Sequence, residues 1–341
     1  MTFQENTDLR QYSTMRLGGK AKYSCTIKSK LDIKTAVQFA KENNLKILVI
    51  GRGSNVIWAD QGFDGLLIIN RIEFIKERVS EKYHFIEVGG GYSWDNFVEL
   101  TTNKNLTGIE AMSLIPGTVG ATPIQNVGAY GQEVSETIDS IEAYDLKESS
   151  FVTIKNSQAN FGYRTSRFKN EDSKRFIISS VTFKLSELSP NLPLYPSVQN
   201  YFDDNHIKSI NPKTIRQAVI AIRKTKLPDP EKVSNNGSFF QNPVISADHF
   251  IKLEKIFENM PYWQTKDGKY KIPAAWLIEN AGLKGFYDEK TGMATSDKQA
   301  VVFINKHAKS TNDLISFRDY ISHQILDKYN IKLDQEPEIL P

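Results

Sequence analysis

The sequence has a single cysteine, Cys25, among its 341 residues. No intrachain disulfide can therefore form, and no cysteine-based metal site can be built. None of the five histidines has the HExxH spacing of a zinc hydrolase. No run approaches the roughly 20 apolar residues of a membrane-spanning helix, and residues 1–19 lack the apolar core of a signal peptide. We expect a soluble cytoplasmic protein without a metal.

The chain also lacks a large charge imbalance. Its formal net charge is +3, with 24% charged and 40% hydrophobic residues, which is ordinary for a soluble globular protein. A field of this strength does not select nucleic acid, although a local basic patch for a nucleotide diphosphate is compatible with it. We expect no nucleic-acid, membrane or obligate protein partner. The length predicts two or three domains.

Hydrophobic periodicity predicts alternating strands and helices, which is an α/β (α+β) composition. Predicted strands cover 21–27, 46–51, 65–70, 84–94, 137–145, 175–185 and 300–305. Predicted helices cover 31–44, 95–105, 214–226, 247–258, 273–281 and a long segment after Thr311. The prolines of KLPDP follow the helix at 214–226, and we place the main domain boundary there.

Two glycine-rich turns follow predicted strands. GRGSNV (51–56) offers successive backbone N–H groups and a serine hydroxyl, which is a chemistry that holds phosphate. Val56 stands where the dinucleotide fingerprint needs glycine or alanine, and a turn-rich segment follows instead of a helix. VGGGYSW (88–94) fails the same test at Trp94. A Rossmann fold is disfavoured, and each motif is compatible with either a phosphate cradle or a simple tight turn.

Residues 111–132 contain no charged side chain, four glycines and two prolines. A surface loop is normally polar, so a loop of this length without charge is expected to pack against something. Its small residues and amides suit a pyrophosphate and a flat heteroaromatic ring. A buried structural crossover is the alternative interpretation.

Two further motifs carry candidate catalytic side chains. FGYRTSRF (161–168) places Arg164 and Arg167 beside aromatic residues, which also fits solvated arginines over an aromatic stem. NNGSFFQNP (235–243) places Ser238 after a glycine. No GxSxG elbow surrounds this serine, so a hydrolase nucleophile is not indicated, and a cap or turn role is the alternative.

In their order along the chain, these motifs closely resemble those of the UDP-N-acetylenolpyruvoylglucosamine reductases. The shared motifs are GRGSNV, IPGTVGATPIQNVGAYG, YRTSRF, KLPDP, NGSFFQNP, AAWLIENAGLKG and the terminal EPE. The resemblance extends from about Ser13 to Glu338, and the tyrosine of LPLYPS resembles the longer subtype with a tyrosine loop.

The resemblance implies a two-lobed FAD-binding region of the vanillyl-alcohol-oxidase type and a smaller α+β substrate domain. The implied boundaries are 1–226 for the FAD-binding region, with lobes of about 1–75 and 76–226, then 227–330 for the substrate domain and 331–341 for a tail returning to the active site. Non-covalent FAD is expected at Gly51, Arg52, Gly53, Ser54, Asn55, Pro116, Gly117, Thr122, Gln125, Asn126 and Gly128. Arg52 replaces a frequent small residue and either adds a phosphate contact or points outward.

The implied activity is the NADPH-dependent reduction of an enolpyruvyl UDP-sugar to UDP-N-acetylmuramate, for peptidoglycan precursors. Hydride addition at C3 leaves an enolate, which needs a cation, donors and an acid. By the resemblance, Arg164 holds the carboxylate, Ser238 protonates C2, and Glu338 polarises the enolate or relays a proton.

Substrate contacts implied by the resemblance are Tyr195, Lys226, Asn242, Lys284 and Gln299. Pro196 follows Tyr195 where the longer subtype commonly has glycine, and the two lysines also fit ordinary surface charge. The rival interpretations are another flavin oxidoreductase of the same fold and a non-catalytic flavin- or nucleotide-binding module. GSFFQNP and the terminal EPE favour the reductase.

Overall fold

The computed structural model describes residues 1–192 and 194–341. Over these residues the chain divides into two compact units. The first comprises Met1–Thr7, Ala21–Arg52 and Phe63–Lys224, and the second comprises Asp8–Lys20, Gly53–Gly62 and Thr225–Pro341. Compared with the boundaries expected from the sequence, the second unit additionally takes in residues 8–20 and 53–62.

Regular elements occur throughout the described residues. The strands are β1 (Gln4–Asp8), β2 (Lys20–Ile27), β3 (Lys46–Ile50), β4 (Val56–Trp58), β5 (Phe63–Asn70), β6 (Ile75–Ser80), β7 (Tyr83–Gly89), β8 (Gly128–Ala129), β9 (Gln132–Glu133), β10 (Ile138–Asp145), β11 (Ser150–Lys155), β12 (Phe176–Ser186), β13 (Val244–Ile245), β14 (Trp263–Gln264), β15 (Tyr270–Lys271), β16 (Tyr287–Asp288), β17 (Met293–Thr295), β18 (Phe303–Asn305) and β19 (Glu338–Leu340). The α-helices are α1 (Lys30–Glu42), α2 (Trp94–Asn103), α3 (Pro196–Asp204), α4 (Pro212–Lys226), α5 (Ala247–Glu254), α6 (Ala274–Asn280) and α7 (Thr311–Tyr329).

The first sheet of the first unit has the strand order β1-β2-β5-β3, and β5 pairs in parallel with both β2 and β3. Helix α1 begins after Ser29, whose hydroxyl accepts a hydrogen bond from the Asp32 N–H. Its apolar residues recur at helical spacing and are buried against this sheet. The strand β3 is followed by a turn and then by β4. This local order differs from the strand–turn–helix unit of a Rossmann fold.

The second sheet of the first unit has the order β11-β10-β12-β7-β6, with antiparallel pairing throughout. Helix α2 packs on it through Trp94 and Phe97, whose rings contact Phe183 of β12. Helices α3 and α4 share a separate apolar cluster that includes Val198, Phe202 and Val219. The long uncharged segment between α2 and β10 also packs on this sheet, since its Met112 and Val119 are buried in one apolar cluster with Val181 of β12.

The second unit has a core built around α7 and three short sheets. Leu314, Phe317, Ile321 and Ile325 of α7 are buried in one cluster. The chain's last strand, β19, pairs in parallel with β4, with Glu338 opposite Val56. None of the helices in the described part of the chain is long and apolar enough to cross a membrane.

In the first unit the His84 ring lies between the carboxylates of Glu77 and Glu187, and we call this arrangement the His84 clamp. Its Nδ1 lies 2.6 Å from Glu77 Oε1 and its Nε2 lies 2.9 Å from Glu187 Oε1. Two carboxylate partners favour the doubly protonated ring. The hydrogen bond with Glu77 is the largest cause of the raised His84 pKa. Desolvation opposes it as the next largest effect, and the hydrogen bond with Glu187 adds to the increase.

Because the folded pKa is raised, this clamp should stabilise the protein fully below the unfolded value of about 6.5 and lose its contribution as pH rises through the folded pKa. We expect His84→Gln to lower the thermal unfolding midpoint at pH 6 and to have little effect at pH 9. The difference should correspond to about 1 kcal/mol or less, since Glu187 is largely exposed. An equal loss at both pH values would contradict the clamp.

Candidate active site

The uncharged loop (residues 111–132) is held at its start by charged side chains from outside it. Asp95, in the first turn of α2, accepts a hydrogen bond from the Leu114 N–H at 2.5 Å. Arg216 of α4 donates to both oxygens of Asp95, at 2.5 and 3.1 Å. Burial alone would raise the Asp95 pKa, but the hydrogen bonds from Arg216 and Leu114 outweigh it and the pKa is lowered. The Asp95 carboxylate is therefore charged and fixes the loop's entry.

Glycines let this loop pack directly on two neighbouring turns of the first unit. A Cβ on Gly51 would lie 2.2 Å from Thr118 Oγ1, and a Cβ on Gly120 would lie 2.9 Å from Gly90 O. The Gly120 N–H also donates to Gly90 O at 2.9 Å. Gly51 and Gly120 therefore serve close packing at this site, and a Cβ on Gly90 of VGGGYSW would lie 2.6 Å from Ile178 O on the other side.

The end of the loop forms a tight hairpin, β8–β9, whose turn residues Tyr130 and Gly131 have φ of 48° and 85°. The segment FGYRTSRF lies beside it. Arg164 donates from Nη2 to Gly128 O at 2.7 Å, and its guanidinium lies 5.5 Å from the centre of the Tyr163 ring. Arg164 itself is partly buried, with φ of 54°. The structure thus places the expected catalytic arginine against a glycine of the expected cofactor loop.

Tyr195 lies next to the same hairpin. Its ring meets the Tyr130 ring edge-on, with the centroids 5.6 Å apart. Burial raises the pKa of both hydroxyls, and Arg223 of α4 hydrogen-bonds the Tyr130 hydroxyl. Pro196 is the first residue of α3, a position that suits proline because its missing N–H is not needed there. The proline thus begins a helix at the tyrosine loop.

The remaining cofactor residues expected in the first unit vary in exposure. Arg52 and Pro116 are exposed, Gly117, Gln125 and Gly128 are partly buried, and Thr122 is buried, with its hydroxyl donating to Val119 O at 2.8 Å.

In the second unit, Gly53, Ser54 and Asn55 have their carbonyl groups bonded within the protein. Gly53 O accepts from the Thr14 N–H at 3.2 Å, and Asn55 O accepts from the Glu338 N–H at 3.0 Å. Ser54 O accepts from Asn236 Nδ2 at 3.1 Å. In the first unit, Gly51 O likewise accepts from Arg71 Nη1 at 2.9 Å. Four carbonyl groups of this turn are therefore oriented toward protein donors.

The second unit brings Ser238 and Glu338 onto adjoining backbone. Phe239, next to Ser238, accepts at its carbonyl from the Glu336 N–H at 2.9 Å and donates to Val301 O at 2.8 Å. Both Ser238 and Glu338 are exposed. Both backbones are fixed by hydrogen bonds to neighbouring segments.

The expected substrate contacts of the second unit differ in their partners and exposure. Asn242 Oδ1 accepts from the Ala274 N–H at 3.0 Å, so this side chain holds the start of α6. Lys284 pairs with Glu279 at 2.7 Å. Gln299 is partly buried, and Lys226, the last residue of α4, is exposed.

Sequence reasoning missed Asp95, Arg216 and Arg223. A signal for Arg216 was present, since it stands beside Ile215 within the amphipathic pattern of α4 and is 8% exposed. A charged residue near the buried face of a helix calls for a partner. The partner, Asp95, is 121 residues away along the chain and could not be named from spacing.

Comparison with known proteins identifies the family. A family model described as "FAD binding domain" matches residues 21–154, and one described as "UDP-N-acetylenolpyruvoylglucosamine reductase, C-terminal domain" matches residues 229–340. The UDP-N-acetylenolpyruvoylglucosamine reductase of Neisseria gonorrhoeae is 37% identical over 98% of this chain and 96% of its own length. The chain belongs to the UDP-N-acetylenolpyruvoylglucosamine reductase family.

A second reductase, from Flavobacterium johnsoniae, is 36% identical over the full length of both chains. The crystal structure of the reductase from Thermus caldophilus aligns over 100% of both chains with a TM-score of 0.69 at 20% identity, which is a likeness of fold. The expected family, the α/β (α+β) fold with an FAD-binding domain and the flavin-dependent oxidoreductase class are confirmed.

Proposed function

We propose that this reductase converts the enolpyruvyl ether of its UDP-sugar to the lactyl ether, giving UDP-N-acetylmuramate. The observation that carries the proposal is the end-to-end similarity to reductases of this name, at 37% identity over 98% of the chain. A cytoplasmic location belongs to the proposal. The buried, unbridged thiol of Cys25, whose pKa burial raises to about 12, suits a reducing compartment.

The residues present fit FAD. In the turn at 51–55, four carbonyl oxygens accept hydrogen bonds from protein donors, which orients these carbonyl groups toward the protein and reduces their repulsion of a phosphate. The loop at 111–132 brings no charge toward a neutral ring system. Among the expected residues we propose that backbone and small side chains hold the diphosphate and ring, with Gly51, Gly117 and Gly128 allowing close approach.

The chemistry that bound FAD would supply is the transfer of hydride from NADPH to C3 of the enolpyruvyl group. Arg164 orients the substrate carboxylate and offsets the negative charge that develops on it, as a guanidinium does well. Ser238 gives its hydroxyl proton to C2. Glu338 polarises the developing enolate or relays the replacement proton to Ser238. Tyr195, Lys226, Asn242, Lys284 and Gln299 are the proposed contacts to the remainder of the UDP-sugar.

The purified protein should be yellow and should release FAD on denaturation. NADPH should bleach the flavin, and the enolpyruvyl UDP-sugar, added without oxygen, should restore its colour. Anaerobic absorption spectroscopy measures both steps. Colourless protein that takes up no added FAD would overturn the cofactor assignment, whereas bleaching that the enolpyruvyl substrate does not reverse would favour a flavin oxidoreductase with another substrate.

A further inference from the structure

Hydrogen bonds within the first unit join the uncharged loop to the turn that carries Arg164. Asn126 Nδ2 donates to Gly162 O at 3.0 Å. Ser166 Oγ donates to Ile124 O at 2.6 Å. Arg164 itself donates to Gly128 O at 2.7 Å. The loop and the turn at 162–166 therefore form one connected piece.

Asn126 is the central brace of this connection. It is 1% exposed and has a left-handed φ of 47°. Besides its bond to Gly162 O, Nδ2 donates to Glu133 Oε2 at 2.8 Å, and Oδ1 accepts from the Ser135 N–H at 3.1 Å. Both amide hydrogens are thus committed to protein acceptors, so the side-chain donors of Asn126 are used within the protein.

Ser166 is the second brace. It is fully buried, and its hydroxyl also accepts from the Phe168 N–H at 3.2 Å. The two braces bracket Arg164, whose left-handed φ of 54° is unfavourable for a long side chain. A residue in that region stays there when its surroundings determine it. If the braces are removed, the turn can relax and redirect the Cα–Cβ bond of Arg164.

We propose that Asn126 and Ser166 are positioning residues that aim the Arg164 guanidinium at the substrate carboxylate. The proposal rests on the proposed function, because it needs Arg164 to act on that carboxylate. It assigns a role to the serine of YRTS, and it gives the Asn126 side chain a role toward Arg164 where the sequence suggested a cofactor contact. It predicts that the two braces affect the substrate step and spare the cofactor.

The test uses the FAD-loaded enzyme and the variants Asn126→Gly and Ser166→Ala. Glycine tolerates the positive φ at 126, so this change removes the brace without adding backbone strain. Each variant should slow reoxidation of the reduced flavin by the enolpyruvyl substrate by on the order of 10–10²-fold, the effect of misplacing a reacting group by about 1 Å. FAD affinity and flavin reduction by NADPH should change less than about twofold, because neither needs Arg164.

A double-mutant cycle separates positioning from a merely structural role. In an Arg164→Ala background, Asn126→Gly should slow reoxidation by less than about twofold further, since the group it aims has gone. The matched control is Ser179→Ala, which removes a fully buried hydroxyl that donates to Glu142 O at 3.1 Å in the same unit but outside the turn. Its reoxidation rate should match that of the unaltered enzyme.

Three outcomes would count against these ideas in different ways. The positioning role is overturned if Asn126→Gly has the same effect with and without Arg164. It is also overturned if FAD affinity, NADPH reduction and reoxidation all fall by one factor, because the braces would then only support the fold. If Arg164→Ala alone leaves reoxidation at its normal rate, the assigned role of Arg164 fails instead. If Asn126→Gly does not fold, the same measurements on Ser166→Ala test the positioning role.

Discussion

Replacing Ser238 with alanine should leave flavin reduction by NADPH near its normal rate and slow reoxidation by the enolpyruvyl substrate by on the order of 10²–10⁴. The proton at C2 is needed only after hydride has reached C3. NADPH oxidation has no such requirement, so the two half-reactions should separate. Anaerobic stopped-flow with each substrate alone measures them.

Replacing Ser238 with alanine should preserve the backbone contacts at this position. Ser238 is exposed, and its backbone pairs with Val302, while Phe239 is bonded on both sides. A matched control is Ser246→Ala, since the Ser246 hydroxyl accepts from the His249 N–H at the start of α5. Loss of that cap should cost about 1 kcal/mol of stability and leave both half-reactions unchanged. If Ser238→Ala behaves like Ser246→Ala, Ser238 is not the proton donor.

The elements that the sequence predicted correctly are those with a local signal. Helix α1 shows apolar residues at Ile33, Ala36, Val37 and Ala40, all of which are buried, and α7 has the same kind of stripe. Strands β3 and β5 were short apolar runs. The segment LPLYPS predicted no helix, yet α3 begins at its Pro196, because a proline in the first turn is compatible with a helix.

Pairings between distant segments could not be predicted in this way. The strand β4 is three residues long, and its partner β19 is at the other end of the chain. Two-residue strands such as β8 and β9 carry no periodicity at all. The assignment of residues 8–20 and 53–62 to the second unit depends on such contacts. Local patterns fix element type, whereas these contacts depend on the folded packing.

The candidate site shows the same difference between local signals and long-range contacts. Its glycines, its uncharged loop and its motif residues could be named from the sequence, because their chemistry is visible residue by residue. The contacts that hold these residues in place could not be named from the sequence. Asn126 offered an amide that suits a cofactor, and the direction of that amide toward Gly162 and Glu133 follows from the left-handed backbone at position 126. Long-range hydrogen bonds of this kind leave no spacing signature.

Glu338 offers the second large effect. Replacing it with glutamine should slow reoxidation of the reduced flavin by on the order of 10²–10³, the usual contribution of a positioned acid or base, and leave FAD affinity and NADPH reduction unchanged. Glutamine retains the side-chain volume and cannot accept a proton as the carboxylate does. The side chain of Glu338 is exposed, and the backbone N–H of this residue donates to Asn55 O. The variant keeps that backbone hydrogen bond.

The point substitution is more informative than removal of the tail. Deleting residues 336–341 should abolish turnover, but it also removes β19 and the buried Leu340, and with them the backbone bond from Glu338 to Asn55. Asp334→Asn is the matched control, because it makes the same carboxylate-to-amide change at an exposed position of the same tail. That control should turn over normally. If Glu338→Gln also turns over normally while the deletion is inactive, the tail supports the strand β4 and its carboxylate takes no part in the chemistry.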